Sequence, residues 1–282
     1  MNNFYITTPI YYVNDKPHIG HAYTSIACDA IARFKRLDGY QVKFLTGTDE
    51  HGQKIEKAAS LAGVSPQEFV DGVSKQFVNL SKALNLSNDD FIRTTEPRHK
   101  KTATYFFEKL QEKGYIYLGE YKGWYAVRDE CFYLESELVD KKAPTGADVE
   151  WVTEPCYFFK LSAFQDKLLE FYKNNPNAIL PASRRNEITK FIESGLHDLA
   201  VSRASLKWGI PIPNSSHVMY VWLDALTNYL SALNYPDKSY EALWSNSVHV
   251  VGKDILRFHS IYWPAFLMAL DIAPPKTCLL YT

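Results

Sequence analysis

The first fifty residues leave this chain little freedom in how it can fold. Phe4 to Thr8 is a β-rich apolar run that reads as a short buried strand. A loop with Pro9, Asn14, Asp15 and Pro17 follows, and a helix begins near Gly20. Apolar residues at Tyr23, Ile26, Ala27, Ala30, Phe34 and Leu37 have helical spacing, and Gly39 stands at the usual C-terminal stop. Val42 to Leu45 reads as a second strand. A strand–helix–strand unit with a helix-length crossover requires parallel strands, so the fold class is α/β.

The same alternation continues further on. Gly47-Thr48-Asp49-Glu50-His51-Gly52 is a polar loop leading into a helix from about Gln53. Ser65, Pro66 and Glu68 make a good helix start, with an N-cap, a proline in the first turn and a capping box. Another helix is predicted from about Pro97 to Lys113, stopped by Gly114. The texture changes at Tyr115. Short strand-like pieces with Gly and Pro turns run to about Phe159, then helices from Ser162 to Tyr172 and from Arg184 to Ser194, so residues 115–195 read as an inserted domain. Trp208 to Pro213 is too proline-rich for a central strand. Val218 to Trp222 reads as a strand entering a helix at Asp224, and Val248 to Val251 as another strand, followed by a long apolar helix to about Leu270.

Composition sets the outer limits. The 282 residues are 46% hydrophobic with a net charge of −1, ordinary globular material for one large or two moderate domains. No global basic field is available to attract RNA. The four cysteines, Cys28, Cys131, Cys156 and Cys278, form no CxxC pair, which argues against a disulfide framework or a four-thiolate zinc site and points to a reducing cytoplasm. The stretch Met1 to Phe4 lacks a basic and apolar signal pattern, and no apolar run approaches the roughly 20 residues needed to span a bilayer.

The chemistry starts at Pro17-His18-Ile19-Gly20-His21, after the first strand and at a helix start. A helix N-terminus offers unpaired N–H groups and a positive dipole end, a ready site for phosphate. Gly20, without a Cβ, lets a ligand lie against backbone. His18 and His21, three residues apart, can share a helix face and donate to phosphate oxygens where charge develops. The tetrapeptide alone is equally compatible with a metal pair or with surface histidines; its place after the first strand of an α/β unit favours the anion site. Asp49, after the second strand, suits a substrate ammonium or an N-cap for the next helix.

His18-Ile19-Gly20-His21 resembles the signature of class I aminoacyl-tRNA synthetases. The flanking segments resemble the methionyl-tRNA synthetase family: Thr8 to Asn14, Leu45 to Gly52, Phe91 to Thr95, Trp208 to Pro213, Tyr220 to Ala225 and Gly252 to His259, in order along nearly the whole chain. The resemblance implies a Rossmann-like doubly wound parallel sheet (1–114 and 196–282) with an inserted α+β connective-peptide domain (115–195). It implies ATP-dependent activation of L-methionine to methionyl-adenylate and transfer to tRNA(Met), with Mg2+ accompanying the ATP phosphates. His18 and His21 would hold the phosphates, Gly20 and Gly252 would be approached by the nucleotide, and Asp254 would hold the ribose hydroxyls. Asp49 would take the α-amino group, with Arg203 beside it. The methionine pocket would comprise Ile10, Tyr12, Trp222, Ala225, Leu226, Tyr229, Ile255 and His259, with Tyr12 and His259 as polar tips near sulfur. Trp222, Ala225 and Tyr229 have helical spacing and can share one face.

Two departures from the family pattern stand out. Many relatives carry a zinc knuckle in the insertion, whereas the matching stretch here, Gly123 to Cys131, has Ala126 at a ligand position and no partner for Cys131 at knuckle spacing, so no structural zinc is expected. The lysine-rich second signature and the anticodon-binding domain are absent before Thr282, so the chain is expected to bind methionine and ATP with little turnover. Two alternatives remain: a class I synthetase for leucine, valine, isoleucine or cysteine, and a non-catalytic nucleotide- or RNA-binding module on the same fold.

Overall fold

A computed structural model describes residues 2–129, 131–133 and 135–280; Met1, Tyr281 and Thr282 lie outside the described residues. Along the chain run β1 (Asn3–Thr7), β2 (Tyr11–Tyr12), α1 (Ile19–Leu37), β3 (Gln41–Asp49), α2 (Gln53–Ala62), α3 (Pro66–Ala83), β4 (Asp90–Arg93) and α4 (Pro97–Glu112). Next come β5 (Ile116–Ala126), β6 (Cys131–Tyr133), β7 (Glu150–Phe159), α5 (Gln165–Asn174), β8 (Ile179–Leu180), α6 (Ala182–Glu193) and β9 (Leu199–Ala200). The last part holds β10 (Ser202–Arg203), β11 (Val218–Met219), α7 (Val221–Ser231), α8 (Glu241–Trp244), β12 (Ser247–Val251), α9 (Trp263–Ala269) and β13 (Thr277–Leu280).

A seven-stranded sheet has the order β2-β3-β1-β12-β13-β8, with β4 on the other edge of β3, and every pairing in it is parallel. From β1 the chain winds outward to β3 and β4, then returns to lay β12 on the opposite side of β1. The strand order therefore reverses between β1 and β12, and the crevice beyond the carboxyl ends there is where open α/β sheets take ligands. At Gly47 in β3, an added Cβ would stand 2.0 Å from the Ile92 carbonyl oxygen on β4, so only glycine permits that strand pair to close.

Helix α1 reverses one expectation. Its evenly spaced apolar residues point outward: Tyr23, Ile26, Ala30, Phe34 (62% exposed) and Leu37 (89%) face away from the sheet. The buried face is Thr24, Ser25, Cys28, Asp29 and Ala32. Small side chains there let α1 lie close on Phe4, Ile6 and Phe44. Asp29 is accommodated because Arg33 Nε (2.6 Å) and the Ser87 N–H and hydroxyl (2.6 Å each) donate to its carboxylate. Periodicity finds a helix, but it does not say which face the rest of the fold covers.

Residues 115–195 contribute to two sheets. β5, β6, β7 and β9 form an antiparallel sheet, and the strands are longer than the turn-rich sequence suggests: β5 and β7 pair from Ile116↔Phe159 to Tyr125↔Glu150. β8, however, pairs with β13 in the central sheet. Phe159, Phe164, Leu168, Ile179 and Ile188 share one core with Tyr5, Leu45, Phe106 and Phe107, and each fully buried Phe or Leu contributes about 1.5–3 kcal/mol.

Two other expectations change. Val218 to Trp222 is not a strand of the central sheet: β11 is two residues long, pairs with β10, and gives way to α7 at Val221. The long helix expected to about Leu270 runs without a gap to Ala269, but it changes type on the way, opening as a 3₁₀ turn (Lys253–Ile255) and passing through a π-helical turn (Phe258–Tyr262) before α9. Pro264 has no N–H to offer the preceding turn. The carbonyl of Ser260, four residues earlier, instead accepts the Tyr172 hydroxyl at 2.5 Å.

Candidate active site

A cavity of about 440 Å³ opens at the carboxyl ends of β1, β3 and β12. Its wall at the start of α1 holds His18, Gly20 and His21. His18 is the N-cap of α1: its Nδ1 accepts the Gly20 N–H at 3.1 Å. His21 Nδ1 in turn accepts the His18 backbone N–H at 3.1 Å. This is a reciprocal capping box built from two histidines. The two rings stack at 3.7 Å between centroids. Because each Nδ1 is an acceptor, a neutral ring carries its proton on Nε2, which leaves that N–H as the donor for an anion. Burial, reinforced by His18, pushes His21 down to about 4, so its ring is neutral at pH 7. A Cβ at Gly20 would stand 2.9 Å from His18 Cε1, so glycine also gives the His18 ring room to fold back over the helix end.

The opposite wall is apolar. Ile10 and Tyr12 come from the β1–α1 connection, Trp222, Ala225, Leu226 and Tyr229 from α7, and Ile255 and His259 from the segment after β12. Trp222 stacks flat on Phe258, with centroids 3.5 Å apart and planes at 6°. The extra residue of the π-turn lies where Phe258 and His259 face this wall, a frequent use of such turns. His259 Nδ1 donates to the Ile255 carbonyl at 2.9 Å, so its Nε2 is the acceptor for the Tyr229 hydroxyl at 2.7 Å. Burial holds His259 down at about 4.

Between the two walls stands Asp49, at the end of β3 and 8% exposed. Gly252 and Asp254 line the cavity from the turn after β12, where Asp254 is exposed. The structure thus brings together every residue proposed for the site except Arg203, which does not line the cavity. Arg203, on β10, donates from Nε to Glu154 at 2.5 Å and from Nη2 to Ser205 at 3.0 Å, and its guanidinium lies 4.1 Å from the Tyr125 ring. Eight of the described lining residues were not proposed from the sequence: Pro9, Tyr11, Thr24, Val221, Asn228, Lys54, Asn14 and Asp129. Lys54, 5.3 Å from the Tyr12 ring centroid, sits in the first turn after the Asp49 loop, and its charge beside that loop was a readable signal. Asn14 was legible only as a loop residue, and Asp129 reaches the cavity from the 115–195 segment, which no local pattern announces. Among the described residues no group of three or more His, Cys, Asp or Glu could hold a metal ion. Glu130 and the Cys131 side chain, part of the stretch compared with the zinc knuckle, lie outside the described residues.

The family model described as "tRNA synthetases class I (M)" matches residues 4–150 and 136–280. The chain belongs to that family. Methionine–tRNA ligase of Rickettsia bellii is 64% identical over 282 residues, covering 99% of this chain and 55% of that protein. Mycobacterium tuberculosis methionyl-tRNA synthetase bound by methionyl-adenylate superposes with a TM-score of 0.95 at 49% identity, over 99% of this chain and 57% of that one. The apo form of the mycobacterial enzyme gives a TM-score of 0.85 at 46% identity, over 99% and 56%. This class I (M) synthetase chain therefore spans about half the length of the curated relatives it matches. Among its described residues, no helix is long and apolar enough to cross a membrane.

Two buried histidines and the half-buried His21 of this synthetase chain set a pH dependence. His259 and His21 are held at about 4, and burial drives His249 well below its ordinary value. In the unfolded chain these rings take up protons near pH 6.5, whereas in the folded chain they stay neutral. Their contribution to stability is thus complete above pH 6.5 and is lost as pH falls toward 4. For fully buried His259 alone the loss reaches about 3 kcal/mol. Thermal unfolding midpoints measured from pH 7.5 to 4.5 should fall steadily, and a flat profile would contradict this account.

Proposed function

We propose that this chain is the methionine- and ATP-binding part of a methionine–tRNA ligase, a cytoplasmic enzyme of translation. The carrying observation is the sequence of surfaces in one cavity: an imidazole-capped helix end, a buried carboxylate, then an apolar wall of Tyr12, Trp222, Tyr229 and His259. ATP lies with its phosphates at His18 and His21 and its ribose hydroxyls donating to Asp254, while Gly20 and Gly252 leave space for close approach. Methionine places its ammonium at Asp49 and its thioether against the apolar wall, where a flexible, polarizable chain packs well. The methionine carboxylate attacks the α-phosphorus, the bond to the bridging oxygen breaks, and pyrophosphate leaves with that electron pair; Mg2+ would enter with the ATP as part of the substrate and would supply further charge neutralisation. The protein supplies positioning and neutral N–H donors to oxygens that gain charge in the transition state. Transfer to tRNA(Met) belongs to the full-length protein.

Calorimetric titration of the 282-residue chain tests the reading. Methionine should bind alone, and leucine and cysteine should not; an apolar wall discriminates a missing methylene by only about 1–3 kcal/mol, so homocysteine should compete. Binding of leucine in place of methionine, or of no amino acid, would sink the assignment. The lysine-rich loop implied by the family resemblance is not within these residues, so methionine-dependent pyrophosphate–ATP exchange should be far slower than in full-length relatives. The same preparation should contain no stoichiometric zinc on metal analysis.

A further inference from the structure

Asp49 and the α7 wall meet across the cavity, yet they arrive from unrelated parts of the chain. The segment that follows Asp49 is secured by two buried polar networks. On one side Glu50, fully buried, accepts Arg93 Nε at 2.7 Å and Nη2 at 2.9 Å, the Thr95 hydroxyl at 2.5 Å and the Thr48 hydroxyl at 2.7 Å. On the other side His51 Nδ1 donates to Asp224 Oδ2 at 2.6 Å, and His99 Nε2 donates to Asp224 Oδ1 at 2.7 Å. Asp224 is on α7, between the cavity residues Trp222 and Ala225, but it faces away from the cavity and is fully buried. His99 is on α4 and also contacts the Ser231 hydroxyl of α7 at 3.1 Å. Trp208 closes the arrangement, donating from Nε1 to the Glu50 carbonyl at 2.5 Å with its ring edge-on to His51.

An aspartate shared by two buried histidines is a costly way to fill a core. Replacing such ionic clusters by apolar groups is often neutral or stabilising, so packing alone does not account for it. What the cluster does geometrically is specific: it joins the residue two places after Asp49 to the residue between two members of the apolar wall. Resting on the reading of the site given above, we propose that His51 and Asp224, braced by His99, are positioning residues that fix the distance between the ammonium-binding carboxylate and the thioether-binding wall. A bound methionine must satisfy both at once. Loosening this joint costs affinity for methionine, whose two ends span it, and leaves nucleotide binding at the α1 end untouched.

The test compares His51→Leu with His51→Asn in the 282-residue chain. The asparagine amide reaches the place of Nδ1 and retains a donor to Asp224; leucine does not. By calorimetry, His51→Leu should raise the Kd for methionine about 10-fold or more, since a small misplacement of an orienting group carries effects of that order. The Kd for ATP should stay within about twofold, and His51→Asn should lie near the parent. The des-amino analogue 4-(methylthio)butanoate, which makes no demand on Asp49, should bind the parent and His51→Leu equally weakly. Parental methionine affinity in His51→Leu, or equal weakening for methionine and ATP, overturns the positioning role while leaving the site assignment intact. If the parent itself fails to bind methionine, the site assignment falls and this proposal with it. Should His51→Leu not fold, Asp224→Asn, which keeps the volume and removes the charge, is read by the same comparison.

Discussion

Replacing Asp49 with asparagine should weaken methionine binding by about 100-fold or more, the usual consequence of removing one partner from a desolvated, hydrogen-bonded charge pair. Asparagine keeps the shape of the side chain but brings an amide N–H toward an ammonium that can only donate. Asp49 is nearly buried at the end of β3, so solvent cannot substitute for the lost charge. Calorimetry with methionine gives the result directly, and ATP affinity serves as the internal control because the phosphates lie at the other wall. An Asp49→Asn chain that binds methionine as the parent does would remove Asp49 from the ammonium site. The other sequence reading, an N-cap for the next helix, does not hold, because α2 is capped at Gly52 with no side-chain hydrogen bond.

The second large effect concerns His21. In a form extended to the length of the relatives, His21→Ala should lower kcat for adenylate formation by about 10²–10³, the range for removing one preorganised donor from a developing charge. KM for methionine should change little, since the imidazole lies across the cavity from the apolar wall. The variant also loses half of the capping box, a stability cost of about 1 kcal/mol, visible as a modest fall in the thermal midpoint. His21→Asn separates the two contributions, because a short amide can cap backbone but does not extend as far as imidazole Nε2. Pyrophosphate exchange at parental rates in His21→Ala would exclude the phosphate-binding role.

Much of the site was legible because it is written in short contiguous segments at strand ends. His18 to His21 follows β1, Asp49 ends β3 and Gly252 to Asp254 follows β12, so reading the strands places these residues at one end of the sheet. Trp222, Ala225 and Tyr229 were named by the family resemblance; their helical spacing said only that they can share one face, which an ordinary core stripe also does, and they line the cavity together. The family resemblance supplied the roles; strand order supplied their convergence. What could not be read depended on tertiary partners. Nothing local distinguishes the outward stripe of α1 from a core face, because the buried face owes its acceptability to Arg33 and Ser87. Asp224 reads as one more polar residue near a helix start until His51 and His99 appear beside it, 173 and 125 residues away in sequence. Arg203 was named only through the family resemblance, and its partner Glu154, 49 positions upstream on a strand read only as turn-rich texture, had no local signal.

Strand β8 is only two residues long, yet its pairing with β13 bears on how the molecule can be dissected. The stretch between α4 and β10 leaves one sheet, builds another and then returns a strand to the first, so it is stitched into the scaffold at both ends. Excising residues 115–195 to obtain a minimal nucleotide-binding core would strip β13 of its outer neighbour β8, leaving only β12 beside it, and open a row of unpaired amide and carbonyl groups. Such an exposed edge is a template for intermolecular pairing. A trimmed version of this chain is therefore prone to aggregate, and proteases that nick the β5–β7 hairpin should leave fragments that stay associated until the whole molecule unfolds.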